Sequence, residues 1–459
     1  MANSAQGRLQ RWAIFVCVLW AAGCATYTDT LRTCHKAVDR GDYEAGIRRL
    51  NDILGVSDYQ QIPDEWTTNK PLAVLERAML LQARGLYQWS ARDLSAAEME
   101  LEFLDLKQNP IGSIGKYIYS DSARVYRAQP SERLVLNALN MLNYLAMGNL
   151  QGASIEARRF TIARDFLESS MENYHQINSG AFGSYIAGFV FEKLGQPGRA
   201  LRYYEEALVT GDLKAFREPV LRLSVQGHYV GRELRAYLRQ LEGTGSDVQS
   251  KRAAGADPKG EILIVLCLGR APYKTPKRIP ILTALEYAGG WVSGNPDILL
   301  HSPFKIVTYP EQVIPDNQMT GAVVNGNGQS LPVELLTDLE TETIREYEMI
   351  KPMIIGAALT RMIARAVAAE GTRHLVGKEK KSVGELAALA SEAALVALDK
   401  PDTRSWTFLP ARIFVCRATV EPGFHEIRIE LLGRAPQTRI IQVEVTQGDC
   451  RVVVITEPR

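Results

Sequence analysis

Residues 185–212, YIAGFVFEKLGQPGRALRYYEEALVTGD, decide how the first half of the chain folds. Gly188 and Ala200 are small residues on two successive helical segments, and small residues at a crossing allow antiparallel helices to approach closely. Phe191 and Tyr204 are large enough to fill the space on either side of that contact. The stretch therefore predicts a tightly packed helical hairpin.

The turn and second helix of this hairpin recur along the chain. Four copies share this pattern, and they begin at Gly41 (GDYEAGIRRLNDIL), Arg92 (RDLSAAEMELEFLDL), Gly148 (GNLQGASIEARRF) and Gly195 (GQPGRALRYYEEAL). Their small positions, at periods of 51, 56 and 47 residues, are Gly46, Ala97, Ala153 and Ala200. A tetratricopeptide repeat has a shorter period of about 34 residues. We therefore predict diverged tetratricopeptide-like hairpins with insertions, and the alternative is a set of ordinary helical hairpins packed on one another.

Composition divides the chain into two halves. Apolar residues recur at helical spacing in the first half, and residues 242–260 (EGTGSDVQSKRAAGADPKG) have the polar character of a linker. After the linker, EILIVLCL is apolar throughout, as a buried strand is, while HEIRIEL and IIQVEV alternate like strands with one wet face. We predict an all-α tetratricopeptide-like superhelix over residues 24–241, the linker over 242–260, and a mixed α/β domain over 261–459 that ends in a small antiparallel sheet.

Further elements are predicted inside the second half. The segment APYKTPKRIPI, which begins at Ala271, is so rich in proline that it can form only an edge strand or a loop. Residues 337–370 have helical periodicity that is interrupted or kinked at Pro352. Residues 382–398 (SVGELAALASEAALVAL) predict a second amphipathic helix with Ser382 as its cap.

The first residues have the pattern of an export signal. Arg8 and Arg11 are followed by the apolar run WAIFVCVLW, which is too short to span a bilayer, and the small residues AAG directly precede Cys24. We predict that residues 1–23 are a lipoprotein signal peptide and that Cys24 carries a covalent lipid. The alternative is an ordinary secreted protein with a cysteine there by chance. In lipoproteins of the enterobacterial type, an aspartate directly after the anchor cysteine favours retention at the inner membrane. This chain has Ala25 at that position, so we expect an outer-membrane anchor that faces the periplasm.

Charge and motifs exclude several classes of function. The chain has 53 Lys+Arg against 52 Asp+Glu, so it has no basic footprint for nucleic acid. Its six histidines are scattered without the spacing of a metal-ligand set, and it contains no P-loop, dinucleotide fingerprint or nucleophile elbow. We predict a protein without catalytic residues, metal or cofactor apart from the lipid on Cys24.

Four cysteines remain after the anchor, namely Cys34, Cys267, Cys416 and Cys450. The predicted compartment permits disulfides. Only Cys416 and Cys450, both in strand-like runs near the C-terminus, are plausible neighbours. Buried free thiols are an equal alternative.

Three arginines on one predicted helix are candidates for binding a partner. Arg158, Arg159 and Arg164 closely follow GNLQGAS, the start of the third copy, and could bind an acidic partner. Arginines on a solvated helix face are the commoner cause of such a pattern.

A short polar turn is the second candidate for partner binding. Asp402, Arg404 and Trp406 lie between Pro401, which ends a helix, and a strand. We favour a structural role in which Asp402 caps the turn, Arg404 pairs with a carboxylate and Trp406 anchors the sheet on the helices. Contact with a ligand is the alternative.

Four carboxylates mark the start of the helix predicted near residue 340. They are Glu340, Glu342, Glu346 and Glu348. We predict that they favour the helix dipole and face water, since this is the usual arrangement at a helix start. A catalytic or ion-binding cluster is the alternative.

Two longer phrases carry a family resemblance. They are RLVLNALNMLNYLAMGNLQGASIEARR (residues 133–159) and DTRSWTFLPARIFVCR (residues 402–417). With these phrases, the diverged hairpins and the pattern before Cys24, the chain resembles the poorly characterised family of tetratricopeptide-type envelope lipoproteins of Gram-negative bacteria. The resemblance covers most of the chain after Cys24. It implies a place in the cell envelope, and that family has no assigned catalytic residues.

Two functional expectations follow. The first is a membrane-anchored, non-enzymatic scaffold that binds envelope proteins on the concave side of its helical hairpins. The second is a protein that binds or processes cell-wall or exported polysaccharide. Its site would lie between the two domains near residues 402–406, with Trp291 and Tyr309 in nearby loops.

Overall fold

The structure is a computed structural model. It describes residues 27–67, 69–103, 126–170, 180–208, 211, 213–229, 231–243, 259–301, 305–375 and 401–459. The predicted signal peptide, the anchor Cys24, most of the predicted linker and the helix predicted over residues 382–398 lie outside the described residues.

Helical hairpins make up the first half, as the sequence predicts. The helices are α1 Tyr27–Asp39, α2 Tyr43–Leu54, α3 Lys70–Ala83, α4 Tyr87–Glu100, α5 Pro130–Ala146, α6 Leu150–Ser170, α7 Gly180–Lys193, α8 Pro197–Ala207, α9 Lys214–Gln226 and α10 Arg232–Gly243. The pairs α1/α2, α3/α4, α5/α6 and α7/α8 each form a hairpin. Two-residue strands, β1 Glu102–Phe103 and β2 Arg127–Ala128, pair in parallel between α4 and α5.

The best hairpin packs as predicted. A Cβ added to Gly188 would lie 2.8 Å from the ring of Tyr204, so only glycine admits the ring at this crossing. Ala200 is fully buried beside it. Phe191 stacks on Tyr203 with ring centroids 5.4 Å apart.

One repeat begins at a different residue from the predicted one. The four hairpin turns each hold a glycine at positive φ, and these glycines are Gly41, Gly85, Gly148 and Gly195. The second copy therefore starts at Gly85 rather than Arg92, its small position is Ser90 rather than Ala97, and the periods become 44, 63 and 47 residues. The error has a physical reason, since seven residues are nearly two helical turns and place Ala97 on the same helix face as Ser90.

Two four-stranded sheets form most of the second half. Their strands are β3 Gly260–Leu268, β6 Met319–Gly326, β7 Gln329–Leu331, β8 Glu334–Asp338, β9 Arg412–Val420, β10 Gly423–Gly433, β11 Gln437–Val445 and β12 Cys450–Glu457. The helix-side sheet has the order β12-β3-β9-β8, and the outer sheet has the order β11-β10-β6-β7. Only the β12/β3 pair is parallel among these strands.

Strand β3 is buried on both faces, which explains its continuous apolar sequence. Ile262, Ile264 and Leu266 pack against the outer sheet. The alternate residues Leu263 and Val265 belong to the core of the helical hairpins. The described chain thus has three layers, in which hairpins, helix-side sheet and outer sheet succeed one another.

The C-terminal strands are divided between the two sheets, whereas the sequence suggested one small antiparallel sheet. Strands β10 and β11 pair antiparallel and alternate between buried and exposed residues, as predicted for one wet face. Strands β9 and β12 instead flank β3 in the helix-side sheet. Local alternation cannot reveal this, because the partner β3 precedes β12 by almost 190 residues.

A smaller unit packs beside the sheets. It contains β4 Tyr273–Pro280, β5 Ile306–Val313, α11 Ile281–Ala288, a 3-10 turn Gly289–Trp291, α12 Asp297–His301 and α13 Leu339–Leu375. The proline-rich β4 is an edge strand that pairs with β5, as its sequence requires. Helix α13 runs through Pro352.

The cysteines of the described chain are free thiols. Cys416 lies opposite Ile264, and Cys450 lies opposite Glu261, so β3 separates the two cysteines. Strands are about 4.8 Å apart, which places residues on the two neighbours of β3 about 10 Å from each other. A disulfide requires Cα atoms within about 7 Å. The suggested pairing of Cys416 with Cys450 is therefore wrong, and the free-thiol alternative is correct.

Candidate functional site

The first helices of three hairpins are covered by the chain's own sheet. Helices α3 and α5 contact β12, and α7 contacts β8. We call this sheet-facing side of α3, α5 and α7 the inner face. Leu75 and Leu139 of the inner helices share one apolar core with Leu263 and Val454 of the sheet. The inner face is therefore occupied by residues of the same chain.

An irregular segment, residues 401–411, is also held on the inner face. The fully buried carboxylate of Glu76 on α3 accepts the backbone N–H groups of Thr407 at 2.6 Å and Phe408 at 2.8 Å, and the Thr407 hydroxyl at 2.8 Å. Burial raises the pKa of Glu76 to about 8, although these three donors oppose the rise. Glu132 on α5 accepts the backbone N–H of Trp406 at 3.3 Å. Two carboxylates thus clamp the segment.

The polar turn at residues 402–406 binds its own chain. Arg404 donates to Asp402 at 2.6 and 2.8 Å, and its guanidinium lies over the ring of Tyr126 with 5.9 Å to the centroid. Trp406 is 1% exposed. This is the structural arrangement that the sequence favoured. Arg404 and Trp406 are buried here, so they do not form a surface for a partner.

A buried ionic network joins the hairpins to the sheet, and the sequence did not predict it. Arg417 on β9 donates to Glu192 on α7 at 2.6 Å and to Tyr204 at 3.0 Å, and it also pairs with Glu261. Burial would raise the pKa of Glu192, but the positive charges of Arg417, Lys193 and Arg222 outweigh burial and hold it well below its usual range. The available signal was a charged residue inside the apolar strand RIFVCR.

Two of the four carboxylates at the start of α13 are buried, which corrects the prediction that all face water. Glu348 is exposed, and Glu340 pairs with Arg412 at 2.8 Å. Glu342 and Glu346 are instead 7% and 1% exposed. Burial raises the pKa of Glu342 to about 8 and that of Glu346 to about 7.

The physical reason for this burial is remote in sequence. Glu342 and Glu346 are four residues apart and share one helix face. Glu346 lies near Ser131 and Glu132 at the start of α5, more than 200 residues earlier in the chain. The local sequence pattern of α13 therefore could not predict this contact with the start of α5.

The three candidate arginines of α6 point to different places. Arg158 is exposed. Arg159 is also exposed and pairs with Glu98 at 3.4 Å and Glu156 at 3.1 Å. Arg164 is buried and bound to Glu206 and Asp165 of its own chain. Arg158 and Arg159 are thus accessible to a partner, and Arg164 is not.

A groove lies beside Arg159, on the side of the hairpins away from the sheet. We call it the outer groove. Its volume is about 580 Å³, its floor comes from α5, and its walls come from α4 and α6. The lining residues are Ser95, Glu98, Met99, Arg133, Tyr144, Gly152, Ile155, Glu156, Arg159 and Ile162. A Cβ at Gly152 would lie 2.5 Å from the ring of Tyr144, so this glycine allows the ring to pack against α6.

Large apolar side chains are exposed along the outer groove. Met99 on α4 is 79% exposed and Ile162 on α6 is 67% exposed, with Ile155 and Phe166 also exposed on α6. Residues 155, 159, 162 and 166 recur at helical spacing and therefore form one stripe. Contiguous exposed apolar side chains with a polar border are typical of interaction sites.

Asparagines fix the walls of the outer groove. Asn137 of α5 donates to Glu98 at 2.9 Å and to Glu156 at 3.2 Å, and Asn140 donates to Ser95 at 3.1 Å. These acceptors lie on α4 and α6 and line the groove. Side-chain hydrogen bonds between helices, made in a buried setting, favour one arrangement of those helices. The signal in the sequence was the spacing N-x-x-N-x-x-N in NALNMLN.

A second concavity, which we call the α1 cleft, lies between α1 and the β-rich half. It has a volume of about 610 Å³. The lining residues are Thr28, Asp29, Arg32, His35, Lys36, Asp39, Arg270, Tyr273, Thr275, Pro276, Pro315, Asp316, Gln318, Thr407 and Arg434. Such a volume falls in the range of small-molecule sites, about 300–1,000 Å³.

The base of the α1 cleft holds a neutral histidine. Burial, together with the nearby charge of Arg270, lowers the pKa of His35 to about 3. His35 Nε2 lies 2.8 Å from Thr407 Oγ1, which donates its own proton to Glu76. The imidazole therefore donates from Nε2 and links the cleft to the clamp on residues 401–411.

The aromatic residues suggested for a polysaccharide site lie elsewhere. Tyr309 is buried in the apolar cluster of β5 and α13. Trp291 packs on Gly356, where an added Cβ would lie 2.6 Å from the Trp291 carbonyl oxygen. Neither lines the α1 cleft.

Comparisons with known proteins give no match. No protein-family model matches the chain, and neither a curated protein nor a solved structure matches it significantly. Among the described residues, no helix is both long and apolar enough to cross a membrane. No group of three or more His, Cys, Asp or Glu side chains in the same part of the chain is placed to hold a metal ion.

Proposed function

We propose that this protein is a non-enzymatic, lipid-anchored scaffold of the bacterial cell envelope that binds a partner protein in its outer groove. The observation that carries the proposal is the exposed apolar stripe of α6 beside that groove. The helical hairpins of the first half are consistent with a scaffold of this kind, and we propose that they form a tetratricopeptide-like superhelix. We place the binding surface in the outer groove because the chain's own sheet covers the inner face.

The occupant that best fits the outer groove is an amphipathic helix of the partner. Two helices form the walls and a third forms the floor, so the groove has the shape that a further helix fills by ridge-and-groove packing. Met99, Ile155 and Ile162 offer apolar contacts, as helix-binding grooves do. Arg159, which lines the groove and is exposed, would pair with a carboxylate on the polar face of that helix.

Site-specific photo-crosslinking in living cells tests this proposal. A photoreactive amino acid at position 162 should form one discrete protein adduct, and the same probe at Val225, an exposed aliphatic position on α9, should not. Met99→Glu places a charge in the groove wall and should abolish the adduct from position 162. Equal adducts from positions 162 and 225, or an adduct that survives Met99→Glu, would overturn the proposal.

The anchor is tested separately. Cys24→Ser should remove metabolic acyl labelling and shift the protein out of the membrane fraction. A variant that remains in the membrane fraction with unchanged labelling would refute lipidation at Cys24.

Polysaccharide binding is a second candidate function, and the α1 cleft is the observation that favours it. This cleft lies between the hairpins and the β-rich half and has Thr407, close to the predicted turn, in its wall.

A further inference from the structure

We propose that the α1 cleft binds a linear, uncharged oligosaccharide along helix α1, an inference that rests on the second candidate function above. The ligand class follows from the charges, shape and aromatic content of the cleft.

Three arginines and three aspartates of the cleft form ion pairs within the protein. Arg270 pairs with Asp39 at 2.8 Å, Arg434 donates to Asp316 at 2.6 Å, and Arg32 pairs with Asp29. Four cationic side chains and three carboxylates line the cleft, so neither sign dominates. Such walls do not select a polyanion or a polycation. Paired carboxylates and guanidiniums still offer planar acceptors and donors, which suit hydroxyl groups that both donate and accept.

The shape of the cleft suits a linear ligand. Its wall on α1 extends from Thr28 to Asp39, which is about 16 Å at 1.5 Å per residue. This length equals several sugar rings joined end to end. Tyr273, Pro276 and Pro315 line the cleft and supply apolar surface for the C–H face of a sugar ring.

An extended peptide fits the cleft less well. Peptides bind most often by adding a strand to an open sheet edge or by filling apolar pockets. Here the outward edge of β4 is closed, since Lys274 donates its N–H to Ser405 Oγ at 3.1 Å and its carbonyl accepts from Thr28 at 3.4 Å. Pro276 has no N–H to offer.

Calorimetric titration of the detergent-solubilised full chain tests the inference. The probes are the β-1,4-linked N-acetylglucosamine trimer, cellotriose and maltotriose, each at up to about 10 mM, where even a weak site fills. Inorganic phosphate and a neutral pentapeptide are the comparators. We expect at least one trisaccharide to bind and both comparators to fail.

Two variants locate the binding. Arg434→Ala removes an exposed donor of the cleft and Tyr273→Ala removes its aromatic face, and each should weaken trisaccharide binding by about tenfold or more. Arg232→Ala removes a matched exposed arginine, paired with Glu233 on α10, and should leave binding unchanged.

Three results would overturn the inference: no trisaccharide binds, a comparator binds in its place, or both cleft variants bind as the wild type does. None of these results affects crosslinking from position 162. Failure here and failure of the scaffold proposal are therefore distinguishable.

Discussion

The inner face and the outer groove of the hairpins reverse the usual relation between polarity and exposure. On the inner face, ionisable side chains such as Glu76, Glu192 and Arg417 are buried. In the outer groove, apolar side chains such as Met99 and Ile162 are exposed. The two surfaces belong to the same helical hairpins and differ in what lies against them.

The difference teaches how each surface recognises its neighbour. The inner face binds the chain's own sheet and residues 401–411 permanently, so its charges can be matched one by one with fixed donors and acceptors. The outer groove faces solvent in the described chain, and exposed apolar side chains can be buried by an incoming molecule without leaving unpaired charges when it departs.

The largest effect on stability is expected in the buried ionic network of the inner face. Arg417→Ala leaves the buried Glu192 and Glu261 without their central partner, and breaking a buried ion pair in this way should cost about 3 kcal/mol of unfolding free energy. Urea denaturation measures the loss. Arg428→Ala, on the wet face of β10, is the control and should change stability by no more than about 0.5 kcal/mol. Equal losses of unfolding free energy in the two variants would show that the buried network stabilises the protein no more than an exposed arginine does.

The next largest effect on stability is expected at the contact between α7 and α8, the two helices of one hairpin. Gly188→Ala forces a Cβ to within 2.8 Å of the Tyr204 ring and should destabilise the protein by about 1–3 kcal/mol. Gly198→Ala on α8 places its Cβ 4.0 Å from the nearest atom and should stabilise by up to about 1 kcal/mol, because alanine is the better helix former. Thermal unfolding of the pair should therefore shift in opposite directions, and shifts of the same sign would contradict tight packing at Gly188.

The buried carboxylate of α13 predicts a pH dependence. Burial, together with the charge of Glu132, raises the pKa of Glu346 from 4.5 to about 7. The folded state therefore keeps a proton that the unfolded chain has lost, and this group's contribution to stability falls as the pH rises from about 4.5 to about 7.

Glu346→Gln should remove that part of the decline. Urea midpoints measured at several pH values across this window compare the wild type, Glu346→Gln and the exposed control Glu348→Gln. A wild-type curve and a Glu346→Gln curve with the same slope would show that Glu346 is ionised in the folded protein.

The smallest effect on stability is expected in the outer groove. Ile162→Ser should change the free energy of unfolding by no more than about 0.5 kcal/mol, because the side chain is already exposed. Ile186→Ser on α7, where the side chain is fully buried, should cost more than about 2 kcal/mol. If Ile162→Ser destabilised the protein as strongly as Ile186→Ser, the groove would be part of the core rather than a docking surface.

Much of the fold could be predicted because its causes are local. The hairpin around Gly188 and Ala200 depends on residues twelve positions apart, and the buried strand of EILIVLCL depends on eight consecutive residues. The predicted small position of the second repeat was wrong for an equally local reason, since Ser90 and Ala97 share a helix face.

Less of the candidate sites could be predicted. The structural role of Arg404 and Trp406 followed from their position between the predicted end of a helix and a predicted strand. The burial of Glu346, the network around Arg417 and the separation of Cys416 from Cys450 each depend on a partner that is remote in sequence. The spacing of residues along the sequence carries no information about such remote partners.

The sequence by itself determined the helical hairpins, the strand character of the second half and the alternation of β10 and β11, because side-chain periodicity and turn glycines act over a few residues. The tertiary structure decided which face of the hairpins is covered. That choice depends on β12 pairing in parallel with β3 and on residues 401–411 reaching Glu76. An amphipathic helix specifies that one face must be buried, and only the packing of distant segments specifies what buries it.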